Sequence, residues 1–476
     1  MPPVTVAAPT MSSDAGLRQN VSLLEAVSLE VGLIIGAGLF SLTGVATDIA
    51  GTAVFISYVI AFGVVALGLL PTAVLGSAYP TTGGNYRYPS RLWSPAVGFL
   101  SAWGLAISML GGGLPLYALS FGQYAADLIE VPVVPVGVVA LTVFFLVNLL
   151  GIKVAARVQT LMFLSLVVSL GSFIVFGIPA VDPVNLQELF PTGVGSVLTG
   201  AAILYFVCLG ANFVVDIGGE LTEAATTIPR SFAVSIPLVA VLYVLTGFVA
   251  VGTVGWESVA GQTLTVPARA VLSGPVASFF VVGGALFAIA TTMNGVFIIA
   301  PKYLLALAED GLFPEVLGRV NTRFGTPHWG LTAIYVISLA ALVSPLPLEL
   351  LGSLLGFGGI FLVAPVMVAA VKFARTRPAR YRQAAFTLPP RTLLAVAVAA
   401  VLLNAVLFAL LAVESTEMFA VWAGAMIVGG LYYLVRTRYL QARGVAVEDR
   451  LADLETLEAD GGDPPSRGST APEVEE

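Results

Sequence analysis

Two short segments of this chain carry glycines where a helix would have to break. The first is Val31-Gly32-Leu33-Ile34-Ile35-Gly36-Ala37-Gly38-Leu39-Phe40, and the second is Tyr205-Phe206-Val207-Cys208-Leu209-Gly210-Ala211-Asn212-Phe213. A break in a helix frees backbone N–H groups and a positive helix end on one side, and carbonyl oxygens on the other. The first set suits a carboxylate and the second an ammonium or a metal cation; an amino acid offers both charges. A single glycine pair is equally at home packing two helices closely. Two breaks in separate apolar runs are a more specific signal. Two carboxylates, Glu30 and Asp216, lie close to these segments inside apolar surroundings. An ionisable group at that depth is a candidate proton site or gate, able to pair with Arg or Lys in a solvent-facing vestibule.

The elements that must hold these residues are apolar helices. Of 476 residues 58% are hydrophobic and 10% charged, too apolar for a soluble core. Apolar stretches run near residues 23–43, 54–75, 96–128, 133–150 and 154–178, then 197–221, 232–254, 276–308, 329–343 and 350–372, and finally 393–413 and 418–435. Their length and uniformity favour helices over barrel strands, because lipid offers the backbone no partner. The expected fold is an all-α integral membrane protein with twelve transmembrane helices. The broken segments open the first and sixth, so each heads a five-helix half. An odd number of helices between them runs the halves in opposite directions, as in an inverted repeat.

The expected organisation is a cytoplasmic tail (1–20), a ten-helix core (21–373), helices eleven and twelve (374–436) and an acidic, largely disordered cytoplasmic tail (437–476). The first twenty residues lack the features of a cleaved leader, so the first apolar run is expected to remain as an anchor. With both termini inside, all of the 21 basic residues except Arg269 fall on the cytoplasmic side, which predicts a multi-pass protein of the cytoplasmic membrane. The net charge of −7 reflects the carboxylates from Glu448 to Glu476 and gives no reason to expect a nucleic-acid partner; the lipid bilayer is the expected surroundings. The single cysteine, Cys208, excludes a disulfide framework within the chain and a cysteine-built metal site. The lone histidine, His328, reads as an interfacial residue, and no metal site or cofactor is expected. The pattern carries no signal of oligomeric state.

Three further segments fix a resemblance. Tyr79-Pro80-Thr81-Thr82-Gly83-Gly84-Asn85-Tyr86-Arg87-Tyr88, the stretch from Glu220 to Ile228-Pro229-Arg230, and Ala306-Leu307-Ala308-Glu309-Asp310-Gly311-Leu312-Phe313-Pro314 followed by Thr326-Pro327 stand in order with the two breaks. From Ser22 to Arg436 the chain resembles the amino acid–polyamine–organocation superfamily of permeases, with the LeuT-type fold. That resemblance implies a secondary transporter of amino acids, neutral ones first, working by alternating access. It places the substrate carboxylate on the backbone of Gly36, Ala37 and Gly38. It places the amine on carbonyls near Phe206, Val207 and Leu209, with Phe206 as an aromatic lid and Cys208, Gly210 and Asn212 lining the break. It also implies a sodium site from the carbonyls of Gly32 and Ile35 and the hydroxyls of Thr291 and Thr292, although threonines in membrane helices often bond back to their own helix. Asn212 stands where many members carry a titratable glutamate, and Leu166 where several proton-coupled members carry a lysine. Sodium coupling, proton coupling at another site and uncoupled exchange all remain open at this point. So do a polyamine or cationic-amine substrate and a non-transporting nutrient sensor. No constellation of nucleophiles or metal ligands suggests an enzyme.

Overall fold

A computed structural model describes residues 19–126, 128–344 and 348–444. Chain entry into the first helix is set by a capping box. Ser22 accepts from the Glu25 amide at 3.4 Å while Glu25 accepts from the Ser22 amide at 2.8 Å, which satisfies two of the first-turn donors of α1 (Leu23–Ile34). After a two-residue interruption the chain continues as α2 (Ala37–Ala50), and a 3₁₀ turn leads into α3 (Val54–Ala78). A short helix, α4 (Gly84–Leu92), precedes α5 (Pro95–Ser108), which passes through a π-helical turn at Met109–Gly113 into α6 (Leu114–Ala126). Next come α7 (Val133–Leu149), α8 (Ile152–Gly177) and α9 (Val194–Cys208). Two 3₁₀ turns, Ala211–Asp216 and Gly218–Glu220, carry the chain to α10 (Ala224–Val254).

Short helices α11 (Trp256–Val259) and α12 (Thr265–Val271) connect to α13 (Gly274–Phe279), which again passes through a π-helical turn, Phe280–Leu286, into α14 (Phe287–Glu309). The last described helices are α15 (His328–Leu342), α16 (Leu348–Thr376), the short α17 (Pro378–Gln383), α18 (Pro390–Glu414) and α19 (Thr416–Ala442). The described residues form no strand, only isolated bridges such as Val21 with Leu221 and Thr82 with Ile217.

Among the described residues eight stretches are long and apolar enough to cross a membrane, and α7 and α15 are shorter apolar helices. Their outer surfaces agree with lipid as the solvent. On α8, Leu161, Leu164, Val168 and Val175 are exposed at helical spacing, while Gln159, Leu166, Leu170 and Phe173 of the same helix are buried. In the Gly274–Glu309 stretch 72% of the most apolar window is buried, against 22% in each of the last two spans. The bundle centre therefore lies around α14 and its neighbours α1 and α8, and α18 and α19 lie at the periphery.

Helix boundaries follow hydropathy except where the sequence is polar. The run Ala224–Ser231 holds three hydroxyl residues and Arg230, and hydropathy alone begins this helix near Phe232; the helix in fact starts at Ala224. The expected apolar stretch 197–221 is not one helix. It is helical to Cys208 and then turns to 3₁₀ geometry, so Asp216 lies at the end of a 3₁₀ turn.

Candidate functional site

The first break spans Ile35 and Gly36. The Ile35 amide still donates to Val31 O at 2.7 Å, but Gly36 turns back to donate to Ile34 O at 2.9 Å. The freed carbonyls of α1 are then taken up by other helices. The Thr292 hydroxyl of α14 donates to Gly32 O at 2.9 Å, and the Tyr243 hydroxyl of α10 donates to Ile34 O at 3.0 Å. The amide end of the break differs. Gly36 is the N-cap of α2 in an extended conformation, and no side chain caps the first turn. The first amides of that helix, those of Ala37 and Gly38, have no intrahelical acceptor and lie at its positive end, while the Gly36 amide is held by Ile34 O. The side chain of Ala37 lies outside the described residues.

The second break spans Leu209 and Gly210. Gly210 has φ +144°, ψ −34°, a conformation for which a side chain is strained. It is also pressed onto the first break: a β-carbon at Gly210 would lie 2.8 Å from the Leu33 carbonyl carbon and 3.0 Å from the Ile34 nitrogen. The two interruptions, far apart in sequence, thus meet backbone to backbone. Beside them is a narrow pocket lined by Tyr205, Leu209, Gly210, Ala211, Asn212, Thr72 and Asn85. The side chains of Phe206 and Val207 lie outside the described residues. Cys208 is fully buried near Tyr58, Tyr205 and Tyr243 and is not among the cavity's lining residues.

The four groups proposed for sodium come together only in part. Thr292 reaches Gly32 O but also bonds Ala288 O of its own helix at 3.0 Å, and Thr291 bonds Ala288 O at 2.8 Å. Leu166 is buried and apolar; the buried polar side chains of α8 are Gln159, two turns earlier, and Ser169, which donates to Phe280 O at 3.3 Å. Gln159 donates to Ser28 O at 3.4 Å and accepts from Asn294 at 2.8 Å, and Asn148 donates to Asn294 at 2.9 Å. This buried amide chain ties α1, α8, α14 and α7 together behind the first break. Sequence reading did not find it, because isolated Asn and Gln residues on separate helices carry no spacing signal.

Glu30 and Asp216 depart from the expectation that they pair with Arg or Lys. Both are fully buried, and both are held by neutral donors. Ser231 donates to Glu30 Oε1 at 2.6 Å and Ser235 to Glu30 Oε2, the two serines standing one turn apart on α10. Asp216 accepts from the Asn85 amide at 2.9 Å, the Asn85 side chain at 2.8 Å and the Tyr303 hydroxyl at 2.7 Å, while its own carbonyl accepts from Gly83. It fastens the glycine-rich turn after α3 to the 3₁₀ turn after the second break. The basic residues find other acids. Arg91 grips Asp310 with two bonds of 2.7 and 2.5 Å, Tyr86 donates to the same carboxylate, Arg87 pairs with Glu309, and Lys302 pairs with Glu220 at 2.7 Å. Lys302 is 3% exposed, an internal ion-pair member. Motifs singled out separately in the sequence are thus bonded to each other, at the end of the bundle where α1 begins. Lys153 adds a pair with Glu25 at 2.7 Å at that end. His328 opens α15, contacts Leu149 O at 3.2 Å and stacks on Phe324. Among the described residues no group of His, Cys, Asp and Glu could hold a metal ion.

Long apolar helices with apolar outer faces, surrounding two broken segments that meet, define a multi-pass membrane transporter. The chain belongs to the Amino acid permease family, whose profile matches residues 21–435. It is 26% identical over 387 residues to the branched-chain amino acid permease BcaP of Bacillus subtilis, covering 76% of this chain and 82% of that one. It is 28% identical over 338 residues to the serine/threonine exchanger SteT of the same organism, covering 66% and 74%. A cationic amino acid transporter 4, vacuolar, of Arabidopsis thaliana is 26% identical over 348 residues, covering 68% and 58%. These relatives are carriers, and this chain is an amino acid transporter rather than an enzyme.

Proposed function

We propose that the protein carries a small neutral amino acid across the cytoplasmic membrane by alternating access, with both termini in the cytoplasm. In this reading the eight long apolar stretches, the two shorter apolar helices and the two broken segments make twelve membrane helices, ten of them in two inverted halves. The π-helical turns support the pairing of halves. They fall in the third and eighth helices of the proposed order, each at adjacent glycines, Gly111–Gly113 and Gly283–Gly284. Such turns are rare and frequently lie at functional sites.

The observation that carries the proposal is the seat of Gly210 on Leu33 and Ile34, next to the uncapped start of α2. The substrate carboxylate would bond the amides of Ala37 and Gly38, and that of Gly36 once it leaves Ile34 O. Its ammonium would face the carbonyl end of the second break, near Phe206, Val207 and Leu209. Neutral substrates are favoured over polyamines because Glu30 and Asp216 are already engaged by Ser231, Ser235, Asn85 and Tyr303. A cationic side chain would find neither carboxylate free.

The likeness to BcaP, a branched-chain amino acid permease, and to SteT, a serine/threonine exchanger, supports this reading. Uptake of a radiolabelled amino acid panel into proteoliposomes tests it. Saturable uptake of a neutral member is expected; transport confined to polyamines or to basic amino acids would overturn it.

A further inference from the structure

Hydrogen counting at Glu30 points to a proton. Ser231 Oγ lies 2.6 Å from Glu30 Oε1 and 2.9 Å from Ile228 O, both at hydrogen-bonding distance. A hydroxyl carries one hydrogen, and both of those oxygens are acceptors when Glu30 is ionised. The single hydrogen is then shared between the two acceptors in a bifurcated bond. If Glu30 carries a proton on Oε1, every contact has its own hydrogen: Glu30 donates to Ser231, Ser231 donates to Ile228 O, and Ser235 donates to Glu30 Oε2.

The charged and titratable groups around Glu30 agree. On α10, Arg230 is exposed and Tyr243 bonds Ile34 O. On α8, Arg157 is exposed and Lys153 bonds Glu25 and Asn20 O. On α14, Lys302 pairs with Glu220, Tyr303 with Asp216 and Glu309 with Arg87, and on the 3₁₀ turn after the second break Asp216 has its own donors. Among the described residues no cation balances Glu30. An unpaired buried carboxylate is costly, and a proton removes the charge.

We infer that Glu30, held between Ser231 and Ser235, is the residue that binds and releases the coupling proton of this carrier. The inference rests on the carrier reading above and names its driving ion. On release the Glu30 Oε1–H bond breaks and the proton passes to water in whichever vestibule is open. The Ser231 hydrogen then turns from Ile228 O to the carboxylate, so that Glu30 accepts from both serines. Protonation thereby changes the hydrogen bonds between α1 and α10, one turn before the break whose Ile34 carbonyl is held by Tyr243 of that same helix. A proton bound here would bias the break at the distance of one helical turn.

The test uses the full chain and its Glu30→Gln variant in liposomes. Glutamine keeps the neutral pattern, its amide donating to Ser231 and its oxygen accepting from Ser235. Exchange of the amino acid carried by wild type should persist in the variant, and accumulation driven by a pH gradient should be lost. Pyranine inside the vesicles should report proton entry with substrate in wild type and none in the variant. Infrared spectra should show a protonated carboxyl band in wild type that Glu30→Gln lacks. Retained pH-driven accumulation by Glu30→Gln, or accumulation by wild type driven by sodium alone, would overturn the inference. If wild type carries no amino acid, the carrier reading fails, and the infrared band still decides whether Glu30 holds a proton. Should Glu30→Gln not fold, Ser231→Ala must shift that band; an unmoved band would overturn the assignment.

Discussion

Gly210 rests directly on the backbone of Leu33, with room for no β-carbon between them. Its φ of +144° adds a second reason for glycine. Gly210→Ala should therefore separate the two breaks or distort one, at a cost of about 1–3 kcal/mol for the backbone strain alone. Binding of the transported amino acid, measured by ligand-induced thermal stabilisation, should be lost while the protein still inserts and purifies. Wild-type affinity in this variant would mean that the contact is dispensable.

Gly36 faces the Thr292 hydroxyl, which a β-carbon would approach to 2.8 Å. Gly36→Ala should push Thr292 off Gly32 O and weaken binding, and Gly36→Val should abolish it. Thr292→Ala removes the obstructing oxygen. The double variant Gly36→Ala/Thr292→Ala should thus bind better than Gly36→Ala alone, and additive losses in the double-mutant cycle would contradict the clash.

Much of the scaffold is legible in the sequence, and the reasons are local. The apolar run from Leu23 marks where α1 begins, and glycines mark both breaks. What is not legible depends on contacts between distant helices. Ser231 and Ser235 lie 201 and 205 residues from Glu30, and nothing in a run of small hydroxyl residues says that they point at a carboxylate. Likewise α4 lies in a polar stretch that hydropathy passes over, and Arg87 and Arg91 read as surface charges until Glu309 and Asp310 arrive from the end of α14.

The Arg91–Asp310 pair should matter for stability and for its pH dependence. Burial alone would raise the Asp310 carboxyl, but the Arg91 guanidinium outweighs it and holds that group below the ordinary carboxylate range. A depressed folded value means a stabilising contribution fully present above the unfolded value of about 4 and lost as pH falls through the folded one. Arg91→Ala leaves a buried carboxylate unpaired and should cost roughly 3–5 kcal/mol. Melting temperature against pH in detergent checks this. At neutral pH the variant should melt well below wild type, and the gap should narrow in acid as Asp310 takes up a proton. A constant gap would mean that the guanidinium acts by packing and not by charge.

Cys208 is a reporter that needs no engineered background. It is fully buried beside the second break and absent from the cavity lining, so reaction with a small membrane-permeant maleimide should be slow and limited by opening of the break. Bound substrate should slow it further. Whole-protein mass counts the adducts, and rapid labelling indifferent to substrate would show that the thiol is reached by another route.

The central claim is that the joined breaks recognise a carboxylate and an ammonium on one small molecule. Competition against uptake of a radiolabelled neutral amino acid measures this directly, using the same compound with its carboxylate removed, with its amine removed, and intact. Only the intact zwitterion should compete, and Gly36→Val should abolish the signal. Equal competition by the decarboxylated amine would contradict the account, because the amides of Gly36, Ala37 and Gly38 would then have no role in binding.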